Sequence, residues 1–291
     1  NACRLDEGAV EKKGPLHIVT TTGIIADCLN NIVQDSCEIT ALMGPGTDPH
    51  IYKPTPGDVE LLDEADVIVA NGLHLEGKMS EMLEKYGEEK PVLFISDGIA
   101  EDQIIKSADF DDAHDPHIWF DPVLWFNGLE YVAKELGEID TASATYFLEN
   151  LANYQNTVQK QDESIKELLL EIQSEQRILV TSHDAFSYFG RYYDVEVRGI
   201  QGISTLSEVG LKEIADMVDF VVDNKLNSIF IETSTSDKTA QSIVDGCKDK
   251  HYEVNLAGPL YSDALGEPDV SAGTYLGMLW ANAETISSGL K

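Results

Sequence analysis

The sequence predicts an α/β protein of two similar lobes, each a mainly parallel four-stranded sheet flanked by helices, joined by one long rigid helix. Three observations carry that prediction. Short β-branched apolar runs alternate with helical periodicities, four such units on each side of the chain's middle, and strands alternating with helices form parallel sheets covered on both faces. Between the two sets, no Gly or Pro interrupts the chain from Glu138 to Phe189. Within that stretch Phe147, Leu151, Tyr154, Val158, Ile165, Leu169 and Ile172 recur at spacings of three, four or seven, which places them on one face of a helix.

The first lobe, residues 16–139, follows a polar tether over residues 1–15. Its strands are His17–Thr21, Glu38–Leu42, Val67–Asn71 and Val92–Ile95. The helical patterns after them are Gly23–Ile32, Gly57–Leu62, Lys78–Tyr86 and Pro122–Leu136. The connecting helix is assigned to residues 140–175. At about 1.5 Å per residue, its periodic part from Thr141 to Ser174 makes a rod of roughly 45 Å. A surface helix within one domain is the alternative that periodicity leaves open. The second lobe, residues 176–291, repeats the rhythm with strands Ile178–Thr181, Val195–Ile200, Ser228–Glu232 and Tyr252–Leu256. Its helices are Ala185–Tyr192, Ser207–Asp223, Lys238–Cys247 and Gly273–Ser288. A rod without Gly or Pro offers no wide hinge, so lobe motion is expected to be small.

A chain of 291 residues with 43% hydrophobic content suits two domains with a core each. Against 20 Lys and Arg stand 52 Asp and Glu, a formal charge of −32. That surface repels phosphate backbones, so nucleic acid is excluded as a partner. No run of eighteen apolar residues is present to span a bilayer. The chain starts Asn1-Ala2-Cys3 before a charged stretch. Such a start fits a lipoprotein without its signal peptide, with Cys3 as the lipid-modified residue, or an incidental Cys in a polar tail. Cys28 and Cys37 stand close enough in sequence for a bridge, which geometry decides. No CxxC or Cys/His cluster occurs, so thiolate zinc sites are excluded.

Ligands of open parallel sheets bind beyond the carboxyl ends of the strands, which directs attention to four loops. These carry His50, His117, His183 and Asp263. Three imidazoles and one carboxylate, two from each half, form a sensible site for a divalent first-row metal. A single loop histidine is more often structural, and Asp263 beside a Gly-containing turn also suits turn chemistry. Against this, Asp-Pro-His occurs twice, at Asp48 to His50 and Asp115 to His117. The proline before each His restricts the backbone and pre-orients the ring.

At these residues the chain resembles the TroA-like, or cluster A-I, metal-receptor lipoproteins of bacterial manganese and zinc ABC transporters. The motifs that carry the resemblance run in family order from about Leu16 to the C-terminus. They are Gly44-Pro-Gly-Thr-Asp-Pro-His-Ile-Tyr52, Asn71-Gly-Leu-His-Leu-Glu76, Asp115-Pro-His-Ile-Trp-Phe-Asp121, Ser182-His-Asp-Ala-Phe-Ser-Tyr-Phe189, Gly199-Ile-Gln-Gly-Ile-Ser-Thr205, Ile229-Phe-Ile-Glu232 and Tyr261-Ser-Asp-Ala-Leu-Gly266. The resemblance implies one Zn2+ or Mn2+ ion held between the lobes by His50, His117, His183 and Asp263. It also implies delivery to a membrane permease, a place outside the cytoplasm (anchored through Cys3 or periplasmic), and no catalysis.

Metal-bound histidines usually donate their other ring N–H to an oxygen. Asp121, Glu208 and Glu232 are the groups expected to serve that way. His74 is expected to pack near the cleft, and His17, His114 and His251 to be surface or core residues. Zinc-uptake relatives often carry a long His-rich loop before the second His motif, whereas Ser107 to His114 is short with a single His. A zinc-dependent hydrolase and a surface adhesin are the alternatives. No His-Glu-x-x-His or nucleophile-elbow motif supports the first, and no repeats support the second. Neutral imidazoles favour zinc, and His183→Glu is expected to narrow zinc's advantage over manganese.

Overall fold

The computed structural model describes residues 14–106 and 114–291. Cys3, most of the tether and residues 107–113 lie outside the described residues. The first half runs β1 (Leu16–Thr22), α1 (Gly23–Val33), β2 (Cys37–Met43), α2 (Pro56–Glu64), β3 (Val67–Ala70), α3 (Ser80–Gly87), β4 (Val92–Phe94) and α4 (Pro122–Ile139). Then comes α5 (Ala144–Leu170). The second half runs β5 (Ile178–His183), α6 (Ser187–Tyr193), β6 (Glu196–Gln201), α7 (Leu211–Asp223), β7 (Ser228–Glu232), α8 (Lys238–Asp249), β8 (Asn255–Leu260) and α9 (Tyr275–Leu290).

Local chemistry sets many of these boundaries. Thr22 caps α1 through the Ile25 N–H. Thr55 and Asp58 form a reciprocal capping box before Pro56 at the start of α2. The side chain of Asp121 takes the N–H groups of Val123 and Leu124 at the start of α4. Both sheets are wholly parallel and share one order, β2-β1-β3-β4 and β6-β5-β7-β8. In each, the chain reverses its direction of winding at the first strand, and in such sheets ligands sit off the carboxyl ends at that reversal.

The rod is shorter than its periodicity predicts, 27 residues or about 40 Å. The predicted stripe is buried, and one further position joins it: the Asp162 carboxylate lies between Val158 and Ile165. It is tolerated there because Lys166 Nζ and the hydroxyls of Tyr192 and Tyr193 all donate to it, at 2.7, 2.8 and 2.8 Å. Two other boundaries move. The last strand is Asn255–Leu260, displaced towards the C-terminus because the Tyr252 N–H is held by the Cys247 carbonyl at the end of α8. Helix α7 starts at Leu211, since Gln201 Nε2 donates to the Thr205 and Ser207 carbonyls and keeps that segment in a loop.

The chain crosses between the sheets once, through α5, yet the two halves share one core. A continuous cluster runs from Ile18 and Trp125 through Trp119, Phe120, Phe186 and Phe189 to Tyr275 and Leu290. Helix α9 returns to pack on α1 and α5. The Tyr275 N–H donates to Asp27 at 2.8 Å and its hydroxyl to the Trp119 carbonyl at 2.8 Å. Separate apolar clusters cover the far face of each sheet. Cys28, Cys37 and Cys247 are buried thiols, and the bridge open on sequence grounds is not formed. Cys28 Sγ instead accepts from the Trp125 indole at 3.3 Å.

Candidate metal centre

His50, His117, His183 and Asp263 meet at one point between the two sheets, all buried. One ligand atom from each lies within 4.8 Å of all the others. His50 comes from the loop after β2, and His117 from the end of the long connection that follows β4. His183 is the last residue of β5, and Asp263 follows β8. The site thus sits where both sheets reverse their winding, and each half supplies two side chains.

In both Asp-Pro-His motifs the aspartate accepts the N–H of the histidine two residues on, at 2.9 Å. This Asx-type turn fixes the imidazole's backbone. The second use of each aspartate differs. Asp115 Oδ1 also accepts from His117 Nδ1 at 2.8 Å, whereas Asp48 Oδ2 accepts the Thr205 hydroxyl of the other half at 2.6 Å. Glu232, at the end of β7 beside β5, accepts both the His183 N–H at 2.9 Å and its Nδ1–H at 2.5 Å. Two imidazoles therefore have their tautomer set by a carboxylate, which leaves the Nε2 lone pair aimed inward.

Those inward atoms are close. Nε2 of His117 stands 3.3 Å from Nε2 of His50 and 3.4 Å from that of His183. Asp263 presents Oδ1 at 3.4 Å from His117 Nε2 and Oδ2 at 3.4 Å from His183 Nε2. Converging lone pairs repel unless a cation or protons lie between them. A tetrahedral ion with bonds of about 2.0–2.1 Å to nitrogen and oxygen requires ligand atoms roughly 3.3–3.4 Å apart. The observed separations match that requirement. Asp263 Oδ1, buried and without a hydrogen-bond partner while Nε2 of His117 carries no proton, is the oxygen such an ion would take.

The acid–base balance agrees with the geometry. Burial, aided by the charges of His117 and His183, pulls His50 down to about 3 although Asp263 opposes it. Burial also pulls on His117, but Asp115 and Asp263 outweigh it and hold the ring at about 9. His183 is likewise raised well above the usual imidazole range, with Glu232 and Asp263 overcoming its burial. Asp263, despite its burial, is held well below the usual carboxylate range by His183 and His117. In the metal-free chain, then, protons on two imidazoles occupy the place of a cation beside Asp263.

Of the three groups expected to orient imidazoles, Glu232 touches one. Asp121 does not: its carboxylate caps α4 and faces Arg191 at 3.5 Å. Its place beside His117 is taken by Asp115, which the sequence presents within the Asp-Pro-His motif itself. Glu208 is exposed on the loop before α7, whereas the three rings are buried. His74 is also exposed, in a left-handed turn at φ 62°, where it lines a surface cavity with Gly72, Glu76 and His114. His17 bonds Thr40 through Nε2 at 3.0 Å, His114 is half-buried, and His251 is exposed.

A residue not singled out beforehand is Glu76, fully enclosed at the end of the Asn71 motif. It accepts the Thr21 hydroxyl at 2.6 Å and the Asn71 N–H at 2.8 Å. So placed, Asn71 donates its amide to the Pro116 carbonyl at 2.9 Å and braces the His117 loop. The Tyr188 hydroxyl, donating to the Asp115 carbonyl at 3.0 Å, braces the same loop from the other half. Glu76, in the turn after β3, serves the carboxyl end of the first sheet roughly as Glu232, the last residue of β7, serves that of the second, and the shared strand order was the available signal.

A family model described as "ZnuA: Zinc-uptake complex component A periplasmic" matches residues 18–289. The manganese-binding lipoprotein MntA of Bacillus subtilis is 37% identical over 289 residues, covering 99% of this chain and 94% of the relative. The zinc-binding protein TroA of Treponema pallidum is 39% identical over 275 residues, 94% of this chain and 88% of the relative. The solved structure of that periplasmic zinc-binding protein superposes with a TM-score of 0.92 at 39% identity, covering 95% of this chain and 99% of the other.

Proposed function

The chain belongs to the zinc-uptake complex component A family, and on that premise we propose that it is an extracytoplasmic solute-binding protein. It captures one zinc or manganese ion between its halves and passes it to an ABC permease. His50, His117, His183 and Asp263 are the ligands, with Asp115 and Glu232 orienting the rings of His117 and His183. The observation that carries this reading is the convergence of three buried imidazoles and the Asp263 carboxylate, with one ligand atom of each within 4.8 Å of all the others and His117 Nε2 at 3.3–3.4 Å from a ligand atom of each of the other three.

Zinc- and manganese-binding relatives support the cargo, and relatives named as lipoproteins support attachment to the outer face of the membrane through Cys3. No helix among the described residues is long and apolar enough to cross a membrane. Binding rather than turnover is the proposed role. A catalytic ion keeps a position open for water, whereas four buried side chains here offer an ion four donors within 4.8 Å of one another. Residues 16–139 and 176–291 act as the two lobes of a single chain, bridged by the rod.

Metal analysis of the purified chain, after dialysis against zinc or manganese, tests the reading. We expect one ion per chain and no hydrolysis of ester, amide or phosphoester probes. A chain that retains neither ion would overturn it, and turnover dependent on the bound ion would overturn the receptor role.

A further inference from the structure

The three imidazoles are not held alike. His183 is part of β5, with both its N–H groups on Glu232. His117 has Asp115 behind its ring, and its loop is braced by Asn71, by Tyr188 and by the Trp119 indole, which donates to the Ser262 carbonyl at 2.9 Å. His50 has no carboxylate on its Nδ1 among the described residues. Its loop, which begins with exposed Gly44, Pro45 and Gly46, holds it through Asp48 alone, by the bond to the His50 N–H.

Asp48 is also where this loop is tied to the other half. Its Oδ2 accepts the Thr205 hydroxyl at 2.6 Å, across 157 residues of sequence. Thr205 lies in the loop between β6 and α7, which Gln201 steadies by donating to the Thr205 carbonyl at 2.8 Å. One hydrogen bond to a carboxylate therefore spans the cleft beside the least anchored ligand. Asp115, the counterpart of Asp48 in the second Asp-Pro-His motif, takes both the His117 N–H and its ring Nδ1–H on the one oxygen Oδ1.

We propose that the Asp48–Thr205 hydrogen bond is a latch that sets how fast the bound ion leaves, by holding the His50 loop shut against the second half. The proposal rests on the metal-receptor reading. When the latch opens, His50 swings away with its loop, while His117, His183 and Asp263 keep their supports. The ion is then left three-coordinate and open to an outside acceptor. Entry does not need the latch formed, so its loss acts on release and leaves capture alone.

The test uses the full chain loaded with zinc and mixed rapidly with excess of a chromogenic chelator, with capture measured separately by mixing the metal-free chain with zinc. Thr205→Val removes the hydroxyl and keeps the shape. Loss of a charge-assisted hydrogen bond corresponds to roughly tenfold or more in the closed-to-open ratio. We expect Thr205→Val to retain one ion per chain and capture zinc at the wild-type rate, but to release it about tenfold faster. Thr205→Ser keeps the hydroxyl and should release at the wild-type rate. If Thr205→Val fails to fold, Thr205→Ala carries the same comparison. Wild-type release from the variant lacking the hydroxyl overturns the latch, as does equally fast release from Thr205→Ser, which would trace the effect to packing. If the wild-type chain itself takes up neither zinc nor manganese, the receptor reading fails and the latch with it.

Discussion

Replacing Glu232 by Gln isolates what the second carboxylate does for a ligand it does not share with the metal. Glu232 is buried and takes two donors from one residue, the N–H and Nδ1–H of His183. The isosteric amide preserves packing but carries no charge, and its NH2 group can turn towards Nδ1. A proton would then move to His183 Nε2, the atom that must present a lone pair to the ion. Removing such an outer partner typically costs 10–100-fold in metal affinity, about 1.4–2.7 kcal/mol. The upper half of that range is expected here, because the lost interaction is charge-assisted and dry. The assay is competition titration of wild type and Glu232→Gln against a chelator of known affinity at pH 7.5. Asp121→Asn serves as the control, since that carboxylate caps α4 and touches no imidazole. A dissociation constant for Glu232→Gln within twofold of wild type would refute the orienting role, as would an equal loss in Asp121→Asn.

Asp263→Ala removes the anionic member of the proposed ligand set and should weaken zinc by more than the roughly 100-fold upper end for outer groups; retention of wild-type affinity in the same titration would mean the ion is not held between the halves. Binding should release protons. In the metal-free chain His117 is held at about 9 against an ordinary 6.5, and His183 is also raised, so an ion arriving at pH 7 displaces at least one proton and apparent affinity climbs with pH towards about 9. Calorimetry in two buffers of different ionisation enthalpy measures this, and zero proton release would contradict it. Because the folded-state value of His117 is raised, its contribution to metal-free stability is complete below about pH 6.5 and disappears as pH rises through about 9. Zinc should outcompete manganese for the wild-type site, following the stability order of the divalent ions. The substitution that narrows the gap is better made at His50 than at His183, where a new carboxylate would face Glu232. His50→Glu should weaken zinc more than manganese in direct competition, and an unchanged ratio would refute the ligand-softness argument.

Much of this molecule is written in short-range pattern. The apolar spacing from Phe147 to Leu169 specifies an amphipathic rod, because helical neighbours are three and four residues apart whatever surrounds them. Alternating strands and helices specify two parallel sheets, because parallel strands require crossovers. The three histidines and Asp263 were legible as loop residues beyond strand ends, and the Asp-Pro-His pairs as turns that fix a ring's backbone. What serves each ring was not legible. His183 and Glu232 are 49 residues apart and meet only because β5 and β7 are neighbours in a sheet whose order the sequence does not state. Asp115 and Asp121 flank His117 two residues before and four residues after it; the start of α4 claims Asp121 and the imidazole claims Asp115. Asp162 sits in an apolar stripe because Tyr192 and Tyr193 reach it from α6, beside Lys166 one turn on along α5 itself. Local periodicity and turn chemistry act within a few residues and so survive in the bare sequence, whereas hydrogen-bond partners of buried charges are set by register and by the packing of distant segments, which only the folded chain decides.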